Sequence, residues 1–120
     1  MTENQNHKKY DLEDRTYKFA KRVRDFLRKI KKTVAVIEDG KQLIRASGSV
    51  GANYIEANES LGKKDFIMKI KICRKEAKES RYWLQLLEPS GGNEENERQA
   101  LIKEATELML IFSSIMRKSV

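Results

Sequence analysis

Apolar residues recur at alternating steps of four and three in four separate segments of this chain, and that spacing admits little besides amphipathic helix. In the first segment Leu12, Thr16, Phe19, Val23, Phe26 and Ile30 make one stripe, which Ala20 and Leu27 widen. The second carries Leu43, Ala46, Val50, Asn53 and Ala57, flanked by Ser47 and Tyr54. The third carries Phe66, Ile70, Cys73, Ala77, Ser80, Leu84 and Leu87. Leu101, Ala105, Leu108, Phe112 and Ile115 form the fourth.

Helix boundaries follow from local chemistry. Asp11, Asp39 and Asn93 offer N-caps. Val34 and Ile37 fall in or beside the first connection, Gly62 marks a helix stop, and Glu88–Asn93 is the clearest loop. Glu94, Glu95 and Glu97 suit the positive end of the fourth helix, and Lys29, Lys31 and Lys32 the negative end of the first. Four such helices with short connections fold most simply as an all-α, up-down-up-down antiparallel four-helix bundle. The domain division expected is a flexible tail over residues 1–9 and one bundle over 10–120.

With 120 residues the chain has enough length for one core. Residues 1–9 lack the apolar run of a signal peptide, the longest apolar runs fall far short of a membrane span, and Cys73 has no second cysteine to pair with. A cytoplasmic protein with no membrane role is expected.

The usual catalytic chemistries lack their residues. His7 is the one histidine and sits in the tail, which removes a histidine-based triad and a carboxylate–histidine di-metal site. Gly48 and Gly51 lie inside a helical pattern and form no phosphate-cradling loop. Glu56 and Glu79 have no evident acid–base partner, and Cys73 falls on the inward stripe. The chain reads as a non-enzyme with no catalytic residues, metal, cofactor or small-molecule substrate.

The net charge of +7 is unevenly spread. Residues 8–32 hold eleven Lys or Arg against four acids, and residues 61–87 hold eight against three. Residues 36–60 hold two against four, and residues 88–120 four against six. Basic helices therefore alternate with acidic ones. One reading is lateral complementarity inside the bundle. The other is a phosphate-binding face on the first helix made by Arg15, Lys18, Lys21, Arg22, Arg28, Lys29 and Lys32, all expected to point outward. No aromatic platform interleaves with these residues.

Two further features of the pattern ask for neighbours. Gly48 and Gly51 inside the second helix cost about 1 kcal/mol each against alanine, so another helix is expected to approach closely there, within the protomer or across subunits. Beside them Gln42, Arg45, Ser49, Asn53 and Glu56 share a polar face, readable as a buried register-fixing network or as a ligand or partner site. The third and fourth helices carry more apolar residues than one seam needs. Ile67, Tyr82, Trp83, Ile102, Met109 and Met116 are either a wide core stripe or part of a homo-oligomer interface.

The stretch Gln42-Leu43-Ile44-Arg45-Ala46-Ser47, continuing to Asn53-Tyr54-Ile55-Glu56-Ala57, resembles the signature of the 23S rRNA-intervening-sequence protein family. Asp11-Leu12, Arg15 and Phe19-Ala20 match the opening of that family's first helix, and Lys64-Asp65-Phe66 with Cys73–Ser80 match its third. The likeness covers residues 10–116. It departs at Gly51, where many members carry proline, and at Ala57-Asn58, in place of a glycine-containing helix end. The resemblance implies a bacterial four-helix bundle assembled as a homopentamer, and it suggests RNA or DNA as partner, since related bundles serve as nucleic-acid-binding accessories to reverse transcriptases. The alternative is a protein-interaction scaffold or adaptor.

Overall fold

Thr33 decides where the second helix begins. Its backbone is extended, and its hydroxyl accepts the Val36 amide at 3.1 Å, capping the helix that starts at Val34. The computed structural model describes the backbone of residues 2–89 and 91–119, and side chains from residue 11 onward within those spans. Its four helices are α1 (Thr2–Lys29), α2 (Val34–Asn58), α3 (Lys63–Leu86) and α4 (Gly92–Ser119). Among the described residues there is no strand.

The seams meet as the spacing predicts. Every residue of the first stripe is buried from Leu12 to Ile30. Leu43, Ala46, Val50, Tyr54 and Ala57 join from α2, Ile70, Cys73, Ala77 and Leu84 from α3, and Leu101, Ala105, Leu108 and Phe112 from α4. Tyr54 and Phe112 pack as tilted rings with centroids 6.0 Å apart. Buried hydroxyls satisfy themselves within their own helices: Thr16 donates to Leu12 O at 2.9 Å, Ser47 to Ile44 O at 3.2 Å, and Ser80 to Glu76 O at 2.8 Å.

Helix α1 lies beside α2 and α4, and α3 beside the same two; the diagonal backbones stay apart, and across the α2–α4 diagonal the Tyr54 and Phe112 rings meet in the core. Contacts run antiparallel along each seam: Thr16 lies by Gly51, and Leu27 by Gly40. The α1–α4 seam is the thinnest of the four, and the two seams of α3 are the most extensive.

Three expectations about boundaries are corrected. Helix α2 begins at Val34 rather than at Asp39, because the Thr33 hydroxyl captures the first turn and leaves Asp39 inside the helix. Helical backbone runs from Thr2, ahead of Asp11, with no proline or glycine to interrupt residues 2–10; the side chains of the segment read as a tail lie outside the described residues. Helix α4 starts at Gly92, so Asn93 sits in its first turn, and the Glu95 amide donates to Gly91 O at 3.0 Å.

Candidate nucleic-acid interface

The cations of α1 are largely engaged within the fold. Arg15 and Arg22 stand seven residues apart, which puts them on one flank of the helix, the flank that faces α4. Arg15 donates twice to Glu104, from Nε and Nη2 at 2.8 Å each, and once to Glu107 at 2.9 Å. The Glu104 pair raises the Arg15 pKa further above its already high ordinary value. Arg22 reaches Glu97 at 3.3 Å. Lys18 pairs with Asp14 one turn back at 2.8 Å, and Arg28 pairs with Asp25. Lys32 donates to carbonyls at the C-terminal end of α1, Leu27 O within the helix and Ile30 O just beyond it. Among the described residues, only Lys21 and Lys29 of the seven are exposed with neither an ion pair nor a side-chain hydrogen bond. Arg15 and Arg22 thus turn sideways rather than outward, and the lateral-complementarity reading holds for them.

Helix α3 carries the cations that remain. Lys71, Arg74, Lys75 and Lys78 are all exposed, and together with Met109 of α4 they line a shallow depression of about 430 Å³. Their spacing of three, one and three places them along one flank over two turns. Among the described residues the group has one ion pair, a loose 3.9 Å contact from Lys75 to Glu76. The reason lies in α4. Its Glu97, Glu104 and Glu107 are turned to α1, and its Glu95 is held by Arg98 at 2.8 Å, which draws that carboxyl below its usual range. Toward α3 the same helix presents Met109 and the Thr106 hydroxyl, which Arg81 approaches at 3.5 Å. Acidic α2 likewise places Glu56 against Lys69 at 3.0 Å, away from the cluster.

The polar row of α2 lies along the outer edge of the α2–α3 seam and forms no buried network. Gln42, Arg45 and Glu56 are exposed, and Ser49 and Asn53 are half-buried. Asn53 departs from the core stripe and donates to Ser49 O at 2.9 Å. Arg45 stands near enough to Glu76 to oppose the upward shift that burial imposes on that carboxyl.

Of the two mid-helix glycines, Gly51 marks a close approach, to α1 of the same chain, whereas Gly48 faces only the flexible Arg24 side chain at ordinary contact distance. A Cβ on Gly51 would sit 2.9 Å from the Thr16 hydroxyl oxygen. A groove of about 330 Å³ runs beside this contact, lined by Tyr17, Lys21, Arg24, Gly48, Ala52 and Ile55.

Apolar surface is distributed differently from the sequence expectation. Trp83, Ile102, Met109 and Met116 pack against the protomer's own core, so a wide core stripe accounts for them. Ile67 is half-buried, and Tyr82 is exposed. Open apolar residues at helical spacing include Ile37, Ile44 and Ile55 of α2 and Met68, Tyr82 and Leu86 of α3, with Tyr17 of α1 on the same groove as Ile55.

The family model described as 23S rRNA-intervening sequence protein matches residues 8–114. The chain belongs to that family. A solved structure of a protein with unknown function from the S23 ribosomal protein family, from Bacteroides thetaiotaomicron, is 31% identical with a TM-score of 0.73; the match covers 87% of this chain and 96% of that one. Among curated proteins none matches. The matched range reaches into all four helices and contains the residues of the α1–α4 ion pairs and of the α3 cluster.

No helix among the described residues is long and apolar enough to cross a membrane. No three His, Cys, Asp or Glu side chains gather there as a metal site would require. Sequence reasoning missed the α3 cluster because it ranked helices by net charge, and α1 carries more. The signal available was the inward stripe of α3, which already leaves Lys71, Lys75 and Lys78 on its outer side.

Proposed function

We propose that this family member is a non-enzymatic, homo-oligomeric bundle, a pentamer as the family resemblance implies, that binds RNA or DNA in the cytoplasm through the exposed face of α3. The observation that carries this reading is the cluster Lys71, Arg74, Lys75 and Lys78, whose one ion pair among the described residues is the loose 3.9 Å contact of Lys75 with Glu76. Cations already paired gain little from a phosphate, because they exchange one anion for another. Unpaired surface cations bring the full electrostatic gain, and each phosphate neutralised releases condensed counterions. Lys21 and Lys29 of α1 add to the field. Self-association draws support from Ile37, Ile44 and Ile55, three exposed apolar residues on one face of α2.

Titrating a labelled mixed-sequence RNA and its DNA counterpart at low salt, then at stepwise higher salt, tests the reading. Binding is expected to fall steeply with salt, and Lys71→Glu/Lys75→Glu/Lys78→Glu is expected to abolish it with the helical circular dichroism unchanged. Absence of low-salt binding to every RNA and DNA probe would defeat the proposal. Light scattering tests the assembly: a monomer would remove the oligomer and favour the α2 row as a docking face for another protein.

A further inference from the structure

The cation row of α3 does not end at Lys78. One turn further along the same flank stands Tyr82, so that Lys71, Lys75, Lys78 and Tyr82 follow at steps of four, three and four. Tyr82 is 55% exposed, high for an aromatic ring on a well-packed helix. Its ring meets Trp83 edge-on, centroids 5.1 Å apart and planes at 72°. Trp83 is itself packed against the core, so the exposed ring is braced by an anchored one. A ring held in place loses little freedom when something stacks on it.

From this arrangement we propose that α3 binds single-stranded nucleic acid, with Lys71, Lys75 and Lys78 following the phosphates and Tyr82 stacking against a base. The inference rests on the nucleic-acid reading of the same site and specifies its ligand. Two features distinguish a single strand from a duplex here. Bases in a duplex are stacked on each other and offer no free face to Tyr82, whereas every base of a single strand does. The row is also short and straight: eleven residues of helix rise ~16 Å, enough for a few nucleotides of one extended strand. Cations at one end and a fixed ring at the other form the two parts that sequence-tolerant single-strand sites combine. Stacking of this kind reads no base edge, so little sequence preference is expected.

Fluorescence anisotropy on the full chain tests the proposal, with labelled homopyrimidine single strands in ribo and deoxyribo form and a blunt duplex of mixed sequence. The single strands are expected to bind more tightly than the duplex at equal salt. Tyr82→Ala is expected to weaken single-strand binding about ten-fold while leaving duplex binding unchanged, and Tyr82→Phe to retain it. Equal affinity for both forms, with Tyr82→Ala neutral, would overturn the single-strand inference and leave general phosphate binding standing. No binding of either form by the unaltered protein would overturn the nucleic-acid reading itself. Circular dichroism and light scattering on Tyr82→Ala complete the set. A folded variant of unchanged mass supports a stacking role, and a folded variant with altered mass assigns Tyr82 to a subunit contact and overturns the inference.

Discussion

Arg15 and Glu104 form a two-pronged ion pair across the thinnest seam of the bundle, Nε to Oε2 and Nη2 to Oε1, both at 2.8 Å. Seven residues further along α1, Arg22 meets Glu97, seven residues back along α4. Equal steps in opposite directions are what an antiparallel helix pair requires, so these two contacts fix the register of the seam whose backbones approach least. They also withdraw the acids of α4 from α3. One electrostatic arrangement therefore orients a seam and leaves the basic cluster without an ion-pair partner from α4 among the described residues.

That arrangement separates structural from binding cations by experiment. Arg15→Ala is expected to lower stability by about 1–2 kcal/mol, since the pair is charge-assisted, bidentate and partly shielded. A double-mutant cycle with Glu104→Ala should give a coupling near 1 kcal/mol that shrinks as salt rises. Nucleic-acid affinity should stay within about two-fold, because the cation removed already has its anions. Chemical denaturation and anisotropy on the same samples check both halves.

The neighbouring glycines of α2 should respond in opposite ways to alanine. At Gly48 the added Cβ would lie 3.5 Å from the Arg24 side chain, an ordinary contact with a flexible group. Gly48→Ala is therefore expected to stabilise by up to about 1 kcal/mol through helix propensity and a stiffer unfolded chain. At Gly51 the Cβ would meet Thr16 Oγ1 at 2.9 Å and Thr16 Cβ at 3.3 Å, and Thr16 is buried and bonded to its own helix. Overpacking there outweighs the propensity gain, and Gly51→Ala should lose about 1–2 kcal/mol net. Thermal unfolding of the two variants, with Thr16→Ala as a partial rescue of the second, measures the contrast.

Which parts of this were legible beforehand follows from what each depends on. The burial of Phe19, Val23, Leu43, Ile70 and Leu108 depends on rotation about a helix axis, which a spacing of four and three specifies residue by residue. The start of α2 did not follow from spacing, since Val34, Val36 and Ile37 read as a poor first turn and only the Thr33 hydroxyl bond settles the matter. The glycines announced a close approach, but naming Thr16 as the partner needs the docked pair. Charge was the least legible. Net charge per helix favoured α1, while the availability of a cation depends on the side chain opposite, and Glu97 and Glu104 stand opposite Arg22 and Arg15. The exposure of Tyr82 lay hidden in a run that also fits a core-facing aromatic pair.

Two carboxylates should give stability opposite dependences on pH. Burial raises the Glu76 pKa, and the charge of Glu79 adds to the rise. A carboxyl raised in the folded state weakens the fold once ionised, a penalty complete above its folded pKa and absent below its unfolded one. Glu76→Gln should therefore stabilise at neutral pH, with the gain closing as acid is added. The Glu95 pKa is lowered, chiefly by the Arg98 hydrogen bond and then by that from Gln99. Its contribution is present above the unfolded pKa and lost as pH falls through the folded one, so Glu95→Gln should destabilise at neutral pH and converge with the parent in acid. Denaturation midpoints taken across the carboxylate range check both signs.

Cys73 supplies a probe for the far side of α3. It sits on α3 facing the core, fully buried, and burial pushes its thiol pKa up to about 12. A thiol that is neither exposed nor ionised reacts with a disulfide reagent only after the helix opens. Labelling at mildly alkaline pH is expected to run roughly a thousand-fold or more below the rate of an unfolded control, the fraction a stable domain spends open. Because Lys71, Lys75 and Lys78 lie on the outer flank, a strand bound there leaves the thiol untouched and slows labelling further by favouring the closed state. Acceleration on adding nucleic acid would mean instead that binding opens α3. Labelling at the control rate without any ligand would mean that the core around Ile70 and Ala77 does not close over this helix.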